Sequence, residues 1–216
     1  MPPSFKIDVV SDVSCPWCVI GIKGLEAALE RMGASVEGGL QLHPFELNPD
    51  MGPEGQNLGE HIAQKYGSTP QQSEANRAMI RERAAEFGFT MAMSGESRIY
   101  NTFDAHRLLH WARAEGKQEA LKLALFEAYF TRQRNVSDHD VLLDVAGSVG
   151  LDTRRAREIL ESDTFAAAVR EEEDLWRQRG INSVPAIIVN ERYLISGGQP
   201  VEVFEQMLQK IASETV

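Results

Sequence analysis

The chain holds two cysteines, Cys15 and Cys18, with only Pro16 and Trp17 between them. A thiolate attacks a disulfide, and a second thiol two residues on can reach back to resolve the mixed disulfide that forms. The pair lies between an alternating apolar segment at 4–11, which reads as a strand, and a helical pattern from about Pro16 to Met32. Cys15 therefore opens a helix, where free N–H groups and the helix dipole favour a negative sulfur. Cys15 is expected to be the nucleophile and Cys18 the resolving thiol. Pro16 sets the first helical turn, and Trp17 offers an apolar platform beside the sulfurs. Two inert core cysteines are the rival reading, but they would have no need of this strand-to-helix position. A lone pair cannot build a four-cysteine zinc site, and a disulfide closing so short a loop adds little stability.

The elements that must position the pair follow from periodicity. A second strand is expected at roughly Gln41 to Leu47, then a Pro-, Gly- and Asn-rich loop from Asn48 to Gly59. From about Leu58 to Leu160 the pattern is helical throughout. Ile80, Ala84 and Phe87 share one face, as do Ala105, Leu108, Leu109 and Ala112, then Leu121, Ala124, Leu125 and Ala128. Leu142, Val145, Ala146 and Val149 share another, with Ser137 and Asp140 before them at capping-box spacing. A helix at about Thr164 to Arg179 follows. Ala186–Val189 and Tyr193–Ile195 flank a turn and suit a hairpin, and Pro200 opens a last helix. Without the helical block the order is β-α-β-α-β-β-α. The expected fold is therefore α/β and thioredoxin-like with a large helical insertion. The thioredoxin-like part would take residues 1–57 and 161–216, and an inserted cap 58–160.

Several segments carry a more specific likeness. Asp12-Val13-Ser14-Cys15-Pro16-Trp17-Cys18 resembles the active-site segment of DsbA-like proteins of the FrnE type. Pro44-Phe45-Glu46-Leu47-Asn48-Pro49 resembles that family's second strand, and Asn101-Thr102 with Ala105-His106-Arg107 its insertion, as does Ala128-Tyr129-Phe130. Gly180-Ile181, Val184-Pro185 and Ser196-Gly197-Gly198-Gln199-Pro200 resemble its C-terminal half. The resemblance spans nearly the whole chain. It implies dithiol–disulfide exchange, with Val184 and a cis Pro185 facing the redox pair so that the Val184 backbone can bind substrate. Asn101 and His106 would line the cleft under the cap or serve a purely structural role there. Ser183 stands where glycine is expected, and Trp17 where the periplasmic oxidant DsbA has histidine; without that imidazolium a less oxidising couple is expected. Kappa-class glutathione transferases and 2-hydroxychromene-2-carboxylate isomerases share the element order, so a glutathione-dependent isomerase or transferase is the second reading. They usually carry serine in place of the first cysteine. A redox-regulated binding protein or chaperone is the third.

Protein or small-molecule disulfides and thiols are the expected partners, with glutathione admitted as a co-substrate and no resident cofactor. A net charge of -10 and pI near 5.0 disfavour nucleic acid and anionic membranes, and no basic patch offsets them. No apolar run reaches the ~20 residues of a membrane helix, and the N-terminus lacks secretory features; a cytoplasmic location is expected. His106 and His110 lie four apart but lack a third ligand, so no metal is expected. Asp12 reads as a turn-former. Glu171-Glu172-Glu173-Asp174 reads as a solvated helix face, and Trp111 and Trp176 as core.

Overall fold

The computed structural model describes residues 3–52 and 54–214; Pro53, in the expected loop, and the extreme termini lie outside them. The chain runs β1 (Ser4–Phe5), β2 (Ile7–Ser11), α1 (Pro16–Met32), β3 (Ser35–Val36) and β4 (Gln41–Pro44). The helical block holds β5 (Gln56–Asn57), α2 (Leu58–Tyr66), α3 (Pro70–Ala85), β6 (Arg98–Ile99), α4 (Phe103–Ala114) and α5 (Gln118–Phe126). A π-helical segment (Glu127–Thr131), α6 (His139–Ser148) and α7 (Thr153–Leu160) complete it. Then come α8 (Ala166–Gln178), β7 (Ala186–Val189), β8 (Tyr193–Ser196) and α9 (Val201–Glu214). This is the DsbA-like form of the thioredoxin fold.

The main sheet has the order β4-β2-β7-β8. Strand β2 runs parallel to β4, with Val9 opposite Leu42, and antiparallel to β7, with Val9 opposite Ile187. Covered on both faces, β2 buries all five residues, the polar Asp8 and Ser11 along with Ile7, Val9 and Val10. Helices α1 and α9 pack together beside the sheet, while α8 lies against β4. One continuous core joins Val9 and Leu25 of the thioredoxin-like part to Leu108, Leu121, Phe126 and Leu142 of the block. Two helical glycines allow close approach on α1. A Cβ on Gly21 would lie 2.8 Å from Pro185 Cγ, and one on Gly24 3.1 Å from the Gln199 carbonyl.

Four expectations are corrected. The first strand divides at Lys6, whose N–H and C=O pair with the Asn190 side chain and N–H while β1 turns to β3. The second ends at Pro44 instead of Leu47, because the Leu47 N–H is drawn away to the Asp12 carboxylate at 2.8 Å. The cap of α6 is Asp138, which accepts from the Asp140 and Val141 amides, so the Ser137–Asp140 capping box does not form. The acidic run is a solvated face only at Glu171 and Asp174, which are exposed. Helical twist turns Glu172 and Glu173 inward, Glu173 to full burial; His43 and Arg113 from other elements meet Glu172, while Arg170 and Arg177 of α8 itself meet Glu173.

Candidate active site

The turn from β2 into α1 is built by Asp12. Its carboxylate accepts from Ser14 N at 3.3 Å and Ser14 Oγ at 3.0 Å, and its carbonyl accepts from Cys15 N at 3.3 Å. These bonds leave Cys15 extended at φ -93°, ψ 111° as the N-cap of α1, with Pro16 at the first helical position. The positive end of the helix dipole thus falls at the Cys15 sulfur. Cys15 and Cys18 are both free thiols, with relative exposures of 4% and 0%. The Cys15 thiol donates to the Val184 carbonyl at 3.5 Å, and the Val184–Pro185 peptide bond is cis. Burial, together with a hydrogen bond and charge repulsion from Cys15, pushes the Cys18 thiol well above its ordinary range; the Lys122 ammonium acts in the opposite direction.

In front of Cys15 opens a cleft of about 770 Å³. Trp17, Leu47 and Val184 bound it on the thioredoxin-like side, and His61, Ile80, Tyr129 and Phe130 on the side of the block. The last two come from the π-helical segment, where the Arg132 N–H reaches back five residues to the Glu127 carbonyl. Widened turns of this kind cluster at functional sites. The Tyr129 hydroxyl donates to the Arg98 carbonyl at 2.9 Å, which ties the segment to β6. Glu46 also borders the cleft. Its buried carboxylate shares Arg170 with that of Glu173, and one oxygen of each lacks a hydrogen-bond partner among the described residues. Burial first, and then the like charge of Glu173, push Glu46 up to about 7 in spite of Arg170.

Behind the cysteines lies a second buried polar group. Asp12 Oδ1 is 3.4 Å from His106 Nε2, and the fully buried Lys122 donates to the Ser11 carbonyl at 3.4 Å. Burial opposes the charge on Asp12, but His106, the Leu47 amide and Lys122 outweigh it and hold this carboxyl at about 2.

Of the residues expected at the site, Cys15, Pro16, Trp17 and Val184 line the cleft. Cys18 lies behind Cys15, and Pro185 is buried against the Gly21 position of α1. Asn101 and His106 are not on the cleft wall. Asn101 spends its side chain on the Met51 carbonyl at 3.3 Å and the Phe103 amide at 2.9 Å, and His106 turns inward to Asp12. The histidine pair gathers no further ligand, and no cluster of three metal-ligating side chains occurs among the described residues. Asp12 forms the expected turn and is also the buried carboxylate behind the dithiol. Lys122 went unremarked in the sequence. Its signal is a lysine within Ala120-Leu121-Lys122-Leu123-Ala124-Leu125-Phe126, on one face with Phe126.

A thioredoxin-type sheet that sets two thiols at a helix N-terminus beside a proline loop defines the class of this protein. The chain belongs to the DSBA-like thioredoxin domain family, whose model matches residues 6–209. The crystal structure of a probable DsbA oxidoreductase from Streptomyces coelicolor superposes with a TM-score of 0.87 at 32% identity, over 95% of this chain and 89% of that one. The uncharacterized protein YwbO of Bacillus subtilis (strain 168) is 27% identical over 203 residues, 94% of each chain. The cytosolic disulfide reductase DsbM from Pseudomonas aeruginosa, solved with GSH, shares the fold with a TM-score of 0.60 and 19% identity, over 95% of this chain and 98% of that one. No helix among the described residues is long and apolar enough to cross a membrane.

Proposed function

We propose that the protein is a thiol–disulfide oxidoreductase that exchanges electrons between the Cys15–Cys18 pair and disulfides seated in the cleft. The asymmetry of the pair carries this reading: Cys15 borders the cleft at the positive end of α1, and Cys18 is sealed behind it. Cys15, as thiolate, attacks one sulfur of the substrate disulfide. That S–S bond breaks, and the departing thiolate takes a proton from water. Cys18 then gives up its proton and attacks Cys15 Sγ, which closes the Cys15–Cys18 disulfide and releases the second substrate thiol. Two electrons pass from the protein to the substrate, and the reverse sequence oxidises a dithiol.

The cleft volume of about 770 Å³ suits a small molecule or a short peptide segment. The Val184 backbone beside Cys15 supports capture of an extended chain by strand-like hydrogen bonds. Glutathione is the favoured low-molecular-weight partner, a reading supported by the GSH-bound DsbM of like fold. No resident cofactor enters this chemistry. Trp17 beside the nucleophile and a cysteine content limited to this pair favour a reducing compartment, the cytosol.

Equilibration in glutathione redox buffers, quenched by alkylation, tests the proposal. A single two-electron transition between dithiol and disulfide is expected, and Cys15→Ser should abolish both the transition and disulfide reduction. Loss of reduction together with retained glutathione-dependent isomerisation, or retained holding of unfolded protein, would assign the fold to one of the other two roles.

A further inference from the structure

His43 on β4 is a mostly buried histidine with a carboxylate at each ring nitrogen. Its Nε2 lies 2.7 Å from Asp8 Oδ1 on β2, and its Nδ1 lies 2.5 Å from Glu172 Oε1 on α8. The three side chains keep only 12%, 12% and 13% of their surface exposed. A neutral imidazole has one N–H and one bare nitrogen, so it can satisfy only one of two carboxylates. The imidazolium donates to both. Glu172 does not take up the proton instead: burial opposes its charge, but His110, His43 and Arg113 outweigh burial and hold this carboxyl well below the usual range.

The other charged and titratable groups at this point come from α4 and α5. Arg113 of α4 donates to Glu172 Oε1 at 2.9 Å, and His110 Nδ1 lies 3.4 Å from Glu172 Oε2. His106 of α4 and Lys122 of α5 line the small cavity beside His43. The Asp8 carboxylate has no other hydrogen bond among the described residues, whereas Glu172 keeps Arg113. A ring that has lost one proton therefore leaves its remaining N–H on Asp8, and the contact given up is the one to α8. That helix leads to the cleft. The His43 ring packs on Trp176, one turn beyond Glu172, with ring centroids 4.8 Å apart. Trp176 shares a core cluster with Phe45 and Ile181, and Val184 packs against it. Phe45 and Val184 border the cleft, and the Val184 carbonyl faces Cys15 Sγ at 3.5 Å.

We propose that His43 is a positioning residue for substrate capture: as an imidazolium it pins α8 to the sheet and, through Trp176, sets the Val184 backbone beside Cys15. The inference rests on the thiol–disulfide reading given above. Burial disfavours the charge on His43, as does Arg113, but Asp8 and Glu172 outweigh them and hold the ring above its ordinary 6.5. The clamp is complete below pH 6.5 and is lost as pH rises through the raised value. A peptide held as an added strand on Val184 loses affinity over that range. A small disulfide that needs only the Cys15 sulfur does not.

NMR of the histidine rings in the reduced full-length protein, followed from neutral to alkaline pH, reads the protonation of His43 without any variant. A midpoint above 6.5 is expected, with both ring N–H protons visible below it. Stopped-flow mixing of the same protein with excess disulfide then compares a disulfide-bonded peptide with hydroxyethyl disulfide. Across the His43 titration the peptide concentration at half-maximal rate should rise by roughly tenfold, the worth of one charge-assisted hydrogen bond. The reaction with hydroxyethyl disulfide should show no such step. In His43→Gln the half-maximal concentration should be high at every pH and free of the step, and His43→Lys, which keeps a cation, should restore the low value throughout. A His43 midpoint at or below 6.5 overturns the inference. So does a step that survives His43→Gln, or one that is equal for the two disulfides, which would mark a change at the thiol itself. Wild-type protein that reduces neither disulfide, with the His43 titration intact, would instead overturn the thiol–disulfide reading.

Discussion

Glu46 offers a quantitative test of how the cleft is built. Its side chain is fully buried, shares Arg170 with the equally buried Glu173, and has one oxygen without a hydrogen-bond partner among the described residues. An unfolded glutamate ionises near 4.5, whereas in the folded protein Glu46 is pushed up to about 7, chiefly by burial and then by Glu173. A carboxyl with a raised folded pKa contributes its full stability below the unfolded value. That contribution is lost as pH rises from 4.5 to 7, and the loss is constant above. At 1.36 kcal/mol per pH unit the loss is about 3 kcal/mol, which water from the adjoining cleft and the partly exposed Arg170 reduce to about 2 kcal/mol. Glu46→Gln keeps an acceptor for Arg170 and removes the ionisation. Urea melts near pH 4.5 should give the two proteins stabilities within about 0.5 kcal/mol, and at pH 8 the variant should be more stable by about 2 kcal/mol. A difference that does not change with pH, or a variant destabilised most at pH 8, would refute the account of Glu46 as a carboxyl pushed up by burial and by the charge of Glu173.

Asp12 should behave in the opposite sense. With its carboxyl at about 2 against 3.8 for the free side chain, it stabilises the fold above pH 4 by about 2 kcal/mol, and this is lost as pH falls through 2. Asp12→Asn should therefore be destabilised at pH 7 and show a flatter acid limb in chemical unfolding; an unchanged limb would place the acid sensitivity elsewhere. Limited alkylation at neutral pH, followed by peptide mass analysis, should find Cys15 modified before the sealed Cys18, and the reverse order would exchange their roles. Gly21→Ala would set a methyl 2.8 Å from Pro185 Cγ and displace the Val184–Pro185 loop, costing about 1–3 kcal/mol and slowing exchange with peptide disulfides. If Gly21→Ala matches wild type in both melting temperature and exchange rate, the loop is not braced by α1 at that point.

The nucleophile and its architecture were legible in the chain because they depend on local rules. Cys-Pro-Trp-Cys between a period-two segment and a period-3.6 segment places a thiol at a helix N-terminus, and no distant contact is needed to infer it. The β-α-β-α-β-β-α order with its helical block followed from the same periodicities and matches the observed sheet and helices. What periodicity could not decide was which polar side chains the packing turns inward. His106 is one α-helical residue among several polar ones, and only the meeting of α4 with the β2–α1 turn commits it to Asp12 and not to the cleft. Glu172 reads as solvent-facing charge because its partners His43 and Arg113 lie tens of residues away in sequence, and Glu173 because its burial beside Glu46 is likewise decided by distant packing. Lys122 belongs to the same class. A lysine is affordable inside a core only where a dithiol and a carboxylate are brought to it by other elements, and that juxtaposition exists only once the helical block has closed over the sheet.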